Sequence, residues 1–85
     1  MEKMDFRIWG RIETIAPDDF FVMVSAMQKD TTTEGTGGTS SRWKVRTEHR
    51  ATFDEAKAMR DQLMKELAEL ITARGDRVVD VQAEP

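Results

Sequence analysis

The sequence predicts one α+β domain in which a single long amphipathic helix lies on one face of a three-stranded antiparallel meander, with a short fourth strand after it (β-β-β-α-β). Three observations carry this. Stretches ahead of residue 52 alternate apolar and polar side chains or are apolar on both parities, the mark of strands. The stretch that follows repeats its apolar residues at helical spacing. Helix start and stop signals bracket that stretch.

In chain order, Phe6 to Ile15 alternates, with Phe6, Ile8, Gly10 and Ile12 on one side and Arg7, Trp9, Arg11 and Glu13 on the other. Ala16-Pro17-Asp18-Asp19 supplies a turn, because proline pre-sets φ and aspartate bonds nearby backbone N–H groups. Phe20 to Gln28 is apolar on both parities, as a central strand with both faces covered would be. Residues 29–41, rich in Thr, Gly and Ser, carry no apolar anchor and read as a flexible loop. Arg42 to Ala51 alternates again, with Trp43, Val45, Thr47 and Ala51 expected on one face and Lys44, Arg46, Glu48 and Arg50 on the other.

Thr52-Phe53-Asp54-Glu55 matches a capping box, and Gly75 suits the position just past the last helical turn. Between them Phe53, Ala56, Met59, Leu63, Met64, Leu67, Leu70 and Ile71 fall on one stripe. Arg60 lies inside that stripe, where its aliphatic stem would pack while its guanidinium reaches the sheet margin. Arg77 to Gln82 reads as the fourth strand, parallel to the third and beside either the first or the third.

Residues 1–85 form one domain by this reading, since 85 residues support a single core. Hydrophobic residues make up 39% and charged residues 34%, a globular balance, and the net charge of −3 lies wholly after residue 52. The absence of cysteine removes disulfides, thiolate ligands and thiol catalysis. No apolar leader or membrane-spanning run is present, so a cytoplasmic location without membrane partners is expected.

Candidate chemistry is sparse. Gly35-Thr36-Gly37-Gly38 sits between strands and is not followed by Gly-Lys-Ser/Thr, which a phosphate loop needs. His49 stands alone, Asp18 and Asp19 suit turns, and Asp76, Asp80 and Glu84 match no calcium-binding spacing. No cofactor, metal site or catalytic residue is expected, and the chain reads as a non-enzyme.

The face away from the helix is more informative. If the first hairpin closes through an even-numbered loop, Trp9 and Ile15 share that face with Phe20, Val22 and Val24; an odd-numbered loop substitutes Phe21, Met23 and Met27 for those three. Arg7, Arg11, Lys44, Arg46 and Arg50 would surround this apolar centre, outnumbering Glu13 and Glu48. An open apolar patch of that kind marks an interaction site. The expected interface is therefore Trp9, Arg7, Arg11, Val22, Val24, Lys44, Arg46 and Arg50, with a second copy or another protein as partner. Single-stranded nucleic acid is the alternative, with arginines for phosphates and Trp9 for a base.

The junction Thr52-Phe53-Asp54-Glu55-Ala56 after a three-stranded meander resembles the partial ribonuclease-H-like domain of HicB-type antitoxins. The proline- and glycine-rich segment expected there between sheet and helix is missing, and no DNA-binding extension follows the fourth strand. The resemblance implies the fold rather than the role.

Overall fold

The computed structural model describes residues 4–29 and 41–84. It contains β1 (Asp5–Ala16), β2 (Asp19–Lys29), β3 (Ser41–Arg50), α1 (Phe53–Ala73) and β4 (Arg77–Glu84). The fold is the expected α+β arrangement in the expected order. The sheet is mixed rather than wholly antiparallel: its strand order is β3-β2-β1-β4, and β4 runs parallel to β1. Most of the Thr/Gly/Ser-rich segment read as a loop lies outside the described residues.

The side on which β4 docks follows from contacts across the chain. Asp76 Oδ1 accepts from the Met4 N–H at 3.1 Å, and the Arg77 N–H donates to the Met4 carbonyl at 2.9 Å. Beside them the Arg77 guanidinium holds Asp5 Oδ1 from Nε at 2.8 Å and Nη2 at 2.7 Å. The start of β4 is thus fastened to the start of β1.

The helix starts on a side-chain cap and stops on backbone bonds. Thr52 Oγ1 accepts from the Glu55 N–H at 3.1 Å and donates to Glu55 Oε1 at 2.9 Å. The carboxylate meets the hydroxyl, where the capping box predicts the Thr52 N–H. At the other end Gly75 takes φ of 90°, its N–H bonds to the Thr72 carbonyl, and the Asp76 N–H bonds to the Ile71 carbonyl. Those two bonds define a Schellman stop, which turns the chain straight into β4.

Phe6, Ile8 and Ile12 of β1 and Val22, Val24 and Ala26 of β2 are buried against Ala56, Leu63, Met64, Leu67 and Ile71 of α1. Burying each large side chain contributes about 1.5–3 kcal/mol before chain entropy is counted. Gly10 marks the closest approach: a Cβ there would lie 2.7 Å from Met64 Sδ and 3.0 Å from Arg60 Cγ. No described helix is long and apolar enough to cross a membrane.

Candidate interaction face

The face opposite α1 is set by the β1–β2 register. Ala16 pairs with Asp19, so the turn is the two-residue Pro17-Asp18, which alone would give the even register. A shift between Thr14 and Ala16 leaves Ile15 as an extra residue and changes the parity of everything before it. Trp9 therefore opposes Ser25, Arg11 opposes Met23 and Glu13 opposes Phe21. No described non-glycine residue has positive φ, so the turn is not the hairpin-favoured type I′.

This register corrects the expected interface. Val22 and Val24 are fully buried beneath the helix, because Ile12 and Gly10 oppose them on the core side. Phe21, Met23 and Met27 take their place beside Trp9, as the odd-loop alternative requires. Ser25 lies among them, buried, and its Oγ has no hydrogen-bond partner.

A second correction concerns β3. Val45 opposes Ser25, Thr47 opposes Met23 and His49 opposes Phe21, so these three belong to the open face. Arg46, Glu48 and Arg50 oppose Val24, Val22 and Phe20, and Lys44 opposes Ala26, all on the helix side. Lys44, Arg46 and Arg50 are thus not on the predicted face. A register shift between Ala26 and Met27 leaves Trp43 on the helix side, its ring centroid 5.6 Å from that of Phe6 and 4.3 Å from the Arg74 guanidinium carbon. Charged residues fit these helix-side positions because β3 is an edge strand whose outer margin reaches water.

Arg7 and Arg11 lie on the open face as expected, and carboxylates accompany them. Arg7 Nε is 3.4 Å from Asp80 Oδ2, and Arg11 Nη2 is 3.2 Å from Glu13 Oε1. The Arg11 guanidinium also sits 5.7 Å from the Trp9 ring centroid. By register, positions Arg7, Arg11, Lys29, Arg42 and Arg77 share this face with Asp5, Glu13, Asp19, Asp80 and Glu84, so charges balance and the predicted basic surround is absent.

The face therefore carries a half-buried apolar row of Trp9, Phe21, Met23 and Met27, flanked by exposed Val45 and closed at one end by a polar pair. That pair is His49, whose ring centroid is 5.0 Å from that of Phe21 and whose Nδ1 is 2.8 Å from Asp19 Oδ1. The sequence gives no hint of the His49–Asp19 contact, since 30 residues separate them and only the β2–β3 register joins them. A separate concavity on the helix is lined by Ala68, Glu69, Thr72 and Ala73, with neither histidine nor a second carboxylate. Among the described residues no cluster of three His, Cys, Asp or Glu could hold a metal ion. Asp76 and Asp80 engage the Met4 N–H and Arg7 respectively.

Arg60 is buried within the helix–sheet interface. Its Nε and Nη2 donate to Asp61 Oδ1 at 3.1 and 3.0 Å, and Nη1 donates to the Glu84 carbonyl at 3.2 Å. It fastens the end of β4 as Arg77 fastens its start.

No family model, curated protein or solved structure matches this chain. The resemblance to HicB-type antitoxins is thus supported by no family match.

Proposed function

We propose that the chain is a non-enzymatic interaction module that self-associates through the open sheet face. The observation that carries this reading is the row of Trp9, Phe21, Met23 and Met27 across adjacent strands, with the one described helix on the opposite face. Aromatic and methionine side chains are enriched in interface cores, and paired charges of both signs suit an interface rim. A face bearing both Arg7–Asp80 and Arg11–Glu13 also tolerates its own copy, whereas a uniformly basic face would repel it. The same neutrality weakens the nucleic-acid reading, which requires an excess of cations.

The direct experiment is Met23→Asp, which puts a carboxylate into the centre of the row. The variant is expected to keep the wild-type circular dichroism spectrum and to show a lower solution mass by light scattering at tens of micromolar. An unchanged mass contradicts the reading.

A further inference from the structure

The two edges of the sheet differ chemically. On its helix-side parity β3 carries Lys44, Arg46, Glu48 and Arg50, the kind of charged edge that resists strand addition. At its helix-side positions β4 instead offers Val78, Val81 and Ala83, with Val81 56% exposed, and Val79, 45% exposed, at the register shift; its charges Arg77, Asp80 and Glu84 stand on the open-face parity. No described strand lies on its outer side. Beyond the register shift next to Val79, Asp80–Glu84 runs regularly beside Arg7–Arg11. Its ends are held by Arg77 on Asp5 and by Arg60 on the Glu84 carbonyl, so the edge is presented in a fixed conformation.

We propose that β4 is a docking edge for β4 of a second copy, paired antiparallel about a two-fold axis that runs normal to the sheet through Val81. Such an axis keeps each side chain on its own face, so each residue must oppose one of equal parity and the axis must pass through a residue position. Centring on Asp80 sets two identical carboxylates against each other. Centring on Gln82 sets Asp80 against Glu84 twice. Both registers oppose like charges, which destabilises a cross-strand pair. Centring on Val81 opposes no like charges: Val81 covers its own copy, and each Asp80 carboxylate faces a Gln82 amide. Within one copy Gln82 Nε2 donates to Asp80 Oδ2 at 3.2 Å, which leaves the second amide hydrogen for the neighbour.

This pairing uses a different surface from the open face. It leaves both open faces on the same side of an eight-stranded sheet, doubling the area that face presents. An axis relating two open faces lies in the plane of the sheet, perpendicular to the edge axis. Where the two axes intersect, the two contacts close into a tetramer of D2 symmetry.

Because the chain has no cysteine, Val81→Cys introduces a single thiol. Under a glutathione redox buffer the variant is expected to form a disulfide-linked dimer at least ten times faster than Val79→Cys. In the proposed register Val79 lies about 13 Å from its own copy, four residues along the strand and too far for a disulfide. Equal rates overturn the pairing. The same crosslink is expected in the Met23→Asp background, which disables only the open-face contact. Loss of the crosslink there overturns an independent edge contact, whereas an unchanged mass of Met23→Asp with the crosslink intact overturns only the open-face reading.

Discussion

A methyl group at Gly10 would meet Met64 Sδ at 2.7 Å and Arg60 Cγ at 3.0 Å, so this one position sets how closely the helix approaches the sheet. Met64 can swing its thioether aside more readily than Arg60 can move its stem. Gly10→Ala is therefore expected to cost about 1 kcal/mol and Gly10→Val up to about 3 kcal/mol, read from urea midpoints. Ser25 is the opposite case. Its hydroxyl is buried without a partner, so Ser25→Ala is expected to hold or raise stability by up to about 1 kcal/mol. A loss of more than about 1 kcal/mol would mean that the hydroxyl is bonded after all. Alternation alone puts Gly10 on the core side, but its role is not legible, because nothing local encodes which helix residues lie above it.

At the scale of elements, the helix was the most legible part. Its capping box, apolar stripe and stopping glycine are all local signals, and each corresponds to an observed feature. Thr52→Ala is expected to cost about 1 kcal/mol by removing the acceptor for the Glu55 N–H, measured as a lower thermal midpoint. The first hairpin was legible only in part. Ala16-Pro17-Asp18-Asp19 identified the turn, but the extra residue at Ile15 reverses the parity that this turn alone would set, and no signature in the sequence announces it. Val22 and Val24 face the helix for that reason, not the open side. In β3 the error has another source: alternation separates two faces without saying which is inner, and on an edge strand the helix-side positions can be charged. Arg60 joins two elements through the Glu84 carbonyl, so Arg60→Leu is expected to speed hydrogen exchange toward the end of β4 while leaving the middle of β2 protected.

Across the whole molecule, the sequence leaves β4 a choice between two neighbours. It is decided by Met4, Asp5, Asp76 and Arg77, residues some 72 positions apart whose attraction no periodicity reveals. The same long-range assembly replaces the expected basic face with a neutral one, since Asp80 and Glu84 reach it only once β4 lies beside β1. What survives from the sequence is the asymmetry of the sheet: one face carries the helix, and the other carries Trp9 with an apolar row. Met23 and Met27 report on that row by their reaction with hydroxyl radicals, while Met4, exposed and bonded to Gln28 off the open face, serves as the reference. The central claim predicts that oxidation of Met23 and Met27 relative to Met4 falls several-fold as protein concentration rises from nanomolar to tens of micromolar. A ratio that stays constant over that range would contradict it.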